Sequence, residues 1–277
     1  MVEEGGQQRP LTDEEWRQLQ LWFKEYVRTF REPDPRHQRS FDMKEAHTAR
    51  VVAVMERLTS SLGLSAYARR IAAVTALFHD LGRFPQYQRY RTFRDPKSEN
   101  HAKLSVRELT RHRVLHILPP LARQLIGRTI IFHNRLRLPD HLDPETLLHS
   151  RLLRDADKLD ILRVMAGELR KPESLRNPVI TLGLDSECGV REEVYRRLFS
   201  GQTMNYNELG NTNEFKVLQM SWVFDINFRP SFEILRERDD LFVIAATLPD
   251  TPIHREALAF IKAYIDRRLE EEGAPLT

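Results

Sequence analysis

Ile71 to Phe84 reads IAAVTALFHDLGRF, and the rest of the chain is best understood outward from it. The stretch opens as a helix: Ser65 is placed to cap it, and Ala68, Ile71, Ala72, Thr75, Ala76 and His79 share one face. Gly82 stands where a glycine ends a helix, just past its C-terminus. His79 and Asp80 therefore fall in the last turn of a mostly apolar helix that is expected to be buried. A buried carboxylate beside a buried imidazole is costly without a partner. A bound cation would supply one, and a plain His–Asp hydrogen bond is the other reading.

Upstream, Thr12 with Glu15 forms a capping box, and Trp16, Leu19, Phe23, Tyr26, Val27 and Phe30 give an amphipathic first helix. Residues 1–10 read as a loose tail. Pro33 and Pro35 break the pattern over 32–39, and Asp42 with Glu45 starts a second helix. Its apolar face carries His47, Val51, Val54, Leu58 and Leu62 before Gly63 stops it. Downstream, residues 83–97 (RFPQYQRYRTFRDPK) show no clean period and read as a long loop, a candidate lid or substrate wall.

Ser98 is placed to cap the next helix, with His101 in its first turn. Pro119 and Pro120 open another that closes on His133. From Pro144 to Leu169 a long helix is apolar on more than one side, so it is expected to be central, although Asp155, Asp157, Lys158 and Asp160 interrupt it. Further helices are expected near 190–199, 212–226, 230–248 and 253–271. No stretch alternates with period two, no repeat is visible and no linker divides the chain. The expected fold is all-α, a single domain over 1–277 with a core at about 42–170 and a helical C-terminal extension at about 190–271.

Histidines and acids recur where these helices begin or end: His47, His79, Asp80, His101 and His133, then Asp157 within the central helix. Singly, each has a plain explanation; His47 suits a satisfied core histidine and His101 an exposed first turn. Together, four histidines and two aspartates suit a site for two first-row metal ions, since imidazole binds Fe, Mn, Co, Ni or Zn and a carboxylate can bridge two of them. His37, His112, His116, His141, His149 and His254 lack such company and are expected at the surface.

The order His47, His79–Asp80, Asp157 resembles the H…HD…D signature of the HD-domain metal-dependent phosphohydrolase superfamily. HDLGR at 79–83, NHAKL at 100–104 and DADKLD at 155–160 resemble it locally as well. With His101 and His133 the pattern is similar to the dinuclear branch, which includes HD-GYP cyclic-dinucleotide phosphodiesterases and mixed-valent di-iron oxygenases. The resemblance covers 42 to about 165 and implies an HD-domain helical bundle. It implies that His47, His79, Asp80 and Asp157 hold one divalent transition metal ion, and that Asp80, His101 and His133 hold a second, with Asp80 bridging.

By the same resemblance Arg83, where these families often have a lysine, and Lys158 would meet a substrate phosphate; a salt bridge from Lys158 to Asp155 or Glu168 is the alternative. Arg83 as a cap on the preceding helix's carbonyls is another. Asp155 and Asp160 rival Asp157 as the last ligand. His133 is followed by Asn134 and then RLRLP, with neither consecutive histidines nor GYP, which argues against cyclic di-GMP. The implied activity is hydrolysis of a nucleotide or another small phosphorylated metabolite. The alternatives are a di-iron oxygenase or a non-catalytic nucleotide or metal sensor.

Composition sets the outer bounds. With 41% apolar and 30% charged residues the chain is globular in character, and its one cysteine, Cys188, excludes an internal disulfide and a cysteine-based zinc site. Residues 1–12 lack the build of a signal peptide and no apolar run approaches a membrane span, so a cytoplasmic location is expected. A net charge of +3 suits a small anionic substrate and is too weak to argue for nucleic acid.

Overall fold

The structure, a computed structural model, describes residues 11–181, 184 and 189–271; the expected tail at 1–10 and Cys188 lie outside them. The described residues are all-α, with twelve α-helices joined by turns and short 3-10 segments and no strand among them. No helix among them is long and apolar enough to cross a membrane. The chain forms two compact units. The first comprises Met1–Arg91, Asp95–Asn134 and Pro139–Leu153, and the second Thr92–Arg94, Arg135–Leu138 and Arg154–Thr277.

In the first unit, α1 (Asp13–Arg28) starts on the Thr12–Glu15 capping box: Glu15 N–H donates to Thr12 Oγ1 at 3.2 Å and Thr12 N–H to Glu15 Oε2 at 2.8 Å. Helix α2 (Pro35–Ser61) begins seven residues before the expected start at Asp42. Pro35 does not break the helix but opens it, because proline at the first helical position loses no intrahelical hydrogen bond; Asp34 caps it through Arg36 N–H at 2.9 Å. Gly63 ends it at φ +64°, in the left-handed region. Helix α3 (Ala66–Phe78) starts on Ser65 as expected and is buried from Ile71 to Phe78, packing chiefly on α2.

The expected loop at 83–97 is largely a helix, α4 (Arg83–Tyr90), followed by a bend and a 3-10 turn at Asp95–Lys97. Its arginines and Pro85 hid the pattern, but Phe84 is fully buried among Phe23, Phe30 and Phe41, with ring centroids 5.8–6.2 Å away. The lid reading falls with the loop. Helix α5 (His101–Arg111) is capped by Asn100, whose Oδ1 accepts from Lys103 N–H at 3.0 Å, rather than by Ser98, whose hydroxyl accepts from Gln86. Helix α6 (Pro120–His133) runs as expected, and residues 144–153 of α7 (Pro144–Leu169) complete this unit.

The second unit holds the rest of α7 with α8 (Glu192–Phe199), α9 (Thr212–Ser221), α10 (Arg229–Arg238), α11 (Asp240–Ala245) and α12 (Pro252–Glu270). The expected helix at 230–248 is two helices, because Asp239 takes a left-handed conformation at φ +57° between them. Leu162, Leu198, Val217, Phe232, Ile244 and Ile261 make its core.

Candidate metal centre

The turn after α3 is held by one hydroxyl. Ser105 Oγ, on α5, donates to the His79 carbonyl and accepts from Gly82 N–H, both at 2.8 Å. Gly82 is required for contact rather than conformation. Its φ is −65°, not left-handed, and a Cβ there would stand 2.4 Å from His101 O and 2.6 Å from Ser105 N. The expectation of a helix-ending glycine is corrected accordingly: the residue lets α5 lie directly against the His79–Asp80 turn, which brings His101 to Asp80.

Four helices then deliver one side chain each to Asp80. His47 comes from α2, His79 from the end of α3, His101 from the first position of α5 and His133 from the last of α6; all are 5% exposed or less. Potential ligand atoms of His47, His79 and Asp80 lie within 4.8 Å of one another, and so do those of Asp80, His101 and His133. The two carboxylate oxygens are divided between the groups. Asp80 Oδ2 lies 3.6 Å from His47 Nε2 and 3.7 Å from His79 Nε2, whereas Oδ1 lies 3.4 Å from His101 Nε2.

The donor set fits cations. His79 Nδ1 donates to Ala76 O at 2.7 Å and His133 Nδ1 to Ile130 O at 2.6 Å, while His101 Nδ1 donates to Asp95 Oδ2 at 2.7 Å. A nitrogen facing a carbonyl or carboxylate must carry the proton, so in each neutral ring Nε2 presents a lone pair. His101 Nε2 and His133 Nε2 are 3.1 Å apart. Two lone pairs at that distance repel, and a cation beside both removes the repulsion. Histidines fixed through their other nitrogen in this way are the usual build around a metal.

Charge is arranged to match. Burial alone would raise the Asp80 carboxyl, but the Lys44 ammonium, with the Arg83 guanidinium and the adjoining imidazoles of His79 and His101 behind it, holds it well below the carboxylate range. Burial and the nearby Arg83 guanidinium push His101 down, towards the neutral form a ligand needs. Asp95 resists the effect of its own burial because His101, Arg83 and Gln86 favour its ionised form.

Arg83 lies 3.4 Å from Asp80 Oδ1 through Nε, and 3.0 Å from Asp95 Oδ1 and 2.9 Å from Gln86 Oε1 through one terminal nitrogen. Its guanidinium therefore faces the centre's carboxylates. Asp157 stands on α7 in the second unit and is not among the five residues of the two ligand groups. Lys158 pairs with Asp225 at 2.6 Å rather than with Asp155 or Glu168, and Arg154 binds the same carboxylate. Asp155 is fully engaged in structure: it accepts from Asn227 N–H and Nδ2, Phe228 N–H and Ser231 Oγ, anchoring the start of α10. Two histidines expected at the surface are buried instead. His254 meets Tyr195 OH at 3.2 Å, and His149 is 1% exposed.

Three contributors escaped the sequence reading. Lys44 lies one turn before His47 on the same face of α2, a helical spacing that was open to inspection. Asp95 was hidden in the supposed loop. Asn134, which donates to Asp95 Oδ2 at 3.1 Å, follows His133 directly. Among known proteins, a family model described as HD domain matches residues 45–162. Comparison with curated proteins and with solved structures finds no match.

Proposed function

Residues 45–162 of this chain are an HD domain, and from that premise we propose that the protein is a metal-dependent phosphohydrolase acting on a nucleotide or another small phosphorylated metabolite. The observation that carries the reading is the division of the Asp80 oxygens, one towards His47 and His79 and one towards His101, which is what a carboxylate bridging two cations requires. His47, His79 and Asp80 would hold one divalent ion and Asp80, His101 and His133 the other. Asp157 is proposed as a further ligand on its motif position alone. Bound there, such cations supply Lewis acidity and a more acidic water.

The chain's own groups would do the rest. Asp95 fixes the His101 ring through Nδ1, and Ala76 and Ile130 carbonyls fix His79 and His133. Arg83 brings a guanidinium to the edge of the centre, where it would meet the phosphate's charge; Lys158 is held by Asp225, and a substrate role would require it to exchange that partner. Burial of the histidines keeps bulk water from the ligands.

The test combines elemental analysis with a screen. Protein loaded separately with Mn, Fe, Co, Ni, Zn or Mg is assayed for phosphate release from nucleotides and phosphorylated metabolites, with and without oxygen. We expect two metal ions per chain and oxygen-independent phosphate release, both lost in Asp80→Ala while helical content is kept. Oxygen uptake without phosphate release would replace hydrolysis by oxygenation. Full activity in Asp80→Ala would remove the metal argument altogether.

A further inference from the structure

Lys44 approaches Asp80 more closely than any histidine does. Its Nζ lies 2.6 Å from Oδ2, the same oxygen towards which His47 Nε2 and His79 Nε2 are aimed, and its side chain is only 13% exposed. We propose that Lys44 is an exchangeable counter-cation of the centre: its ammonium and a divalent cation compete for Asp80 Oδ2, and the ammonium so displaced is the group that meets an oxygen of an anionic substrate. The inference rests on the metal-hydrolase reading and deepens it.

Distance makes the two occupants rivals. A metal bonded to Oδ2 at about 2.0–2.2 Å, and an ammonium 2.6 Å from that oxygen, would be at most about 4.8 Å apart. Like charges that close, among buried side chains where screening is weak, repel strongly. The neighbouring cation cannot yield in place of Lys44. Arg83 addresses the other oxygen, and its planar fork is also held by Asp95 and Gln86. Lysine is the group built to move, a compact charge on a flexible four-carbon stem.

What happens to the ammonium afterwards follows from burial. A displaced charge close to the protein interior is costly unless a new partner arrives. Two divalent ions with Arg83 and Lys44 outweigh the negative charge of Asp80 and Asp95, so the partner that restores balance is an anion of more than one charge. A phosphate group fits that description. Metal loading would thus create the binding site for substrate charge, and the metal-free centre would be kept from collapsing by its own lysine.

The experiment uses the full chain freed of metal, as wild type, Lys44→Gln and Lys44→Arg, with Mn2+ and inorganic phosphate as probes in titration calorimetry. Lys44→Gln is expected to bind Mn2+ about tenfold more tightly, and its Mn2+-loaded form to bind phosphate about tenfold more weakly. The metal-free variant should also melt at a lower temperature, since Asp80 has lost its counter-charge. Lys44→Arg keeps the charge and should stay near wild type in Mn2+ affinity, which guards against a folding defect in the glutamine variant. Unchanged or weaker Mn2+ binding by Lys44→Gln overturns the competition, and unchanged phosphate binding overturns the anion role. Absence of Mn2+ binding in wild type overturns the metal reading and this inference together, whereas Mn2+ binding that is indifferent to residue 44 overturns the inference alone.

Discussion

His149 on α7 shows how a single side chain can work against its fold. It is 1% exposed, and neither ring nitrogen has a hydrogen-bond partner, so the folded state carries an unsatisfied imidazole. Burial pushes its pKa down to about 4, against about 6.5 in an unfolded chain. Between those values the unfolded state binds the proton and the folded state refuses it. Stability therefore falls as pH drops from about 6.5 to about 4, by about 3 kcal/mol in all, and this contribution levels off below that. His149→Leu should be more stable at pH 7 by about 1 kcal/mol and should lose this part of the acid sensitivity. Denaturant melts of both proteins at pH 7, 5.5 and 4.5 would show it; parallel pH curves would mean that His149 is satisfied in solution.

At the scale of elements, the centre depends on two close fits. Gly82→Ala would drive a methyl group into the α5 backbone at His101 and Ser105, contacts that neither flexible side chains nor a change of rotamer can relieve. We expect a loss of about 3 kcal/mol or more of stability, together with weaker metal retention because α5 carries His101; a thermal melt near wild type would show that the helices separate easily. Asp155→Ala is the contrasting case. It strips the acceptor from the donors at the start of α10 and should cost on the order of 3 kcal/mol, yet leave the metal content per folded chain unchanged. Metal loss in that variant, with Asp157→Ala retaining metal, would exchange the roles assigned to these two aspartates.

The same elements show how far the sequence could be read. Helices α3 and α6 are legible because a serine cap or an opening proline coincides with an apolar face, and α7 because a proline opens a long run that is apolar on more than one side. The start of α2 is not legible because a proline breaks a helix in its interior and opens one at its first position, and the sequence around Pro35 does not say which. Helix α4 is not legible because its burial is confined to Phe84, Gln86 and Tyr87, with Pro85 among them and Arg83 and Arg89 on either side. The five residues that meet at the centre are legible as types in the sequence. Lys44 is marked only by its spacing one turn before His47, which does not say that its partner lies 36 positions away, and Asp95 stands at the end of a segment without a clear period.

Taken whole, the molecule cannot be divided by cutting the chain once. The boundary between its units falls inside α7, and two short segments, Thr92–Arg94 and Arg135–Leu138, belong to the second unit although the first unit's chain surrounds them. Those segments are tied within that unit: Arg94 lies over the Tyr206 ring at 5.3 Å, and Arg154 donates to the Arg135 and Leu136 carbonyls. An intact helix passes cooperativity along its length. We therefore expect one thermal transition by calorimetry and no stable proteolytic fragment ending near residue 153; two resolved transitions would show that α7 yields at the boundary.

The shared helix also sets an order of events on the ribosome. The first unit lacks its last turns until residues 144–153 have emerged, and the helix that they begin runs on into chain that the second unit needs. Segment 92–94 emerges long before Tyr206, the partner of Arg94, while 135–138 waits only for Arg154. Chains stalled between about residue 170 and the end of α12 should accordingly display the apolar face of α7 without its cover, and should be the nascent species that chaperones hold longest.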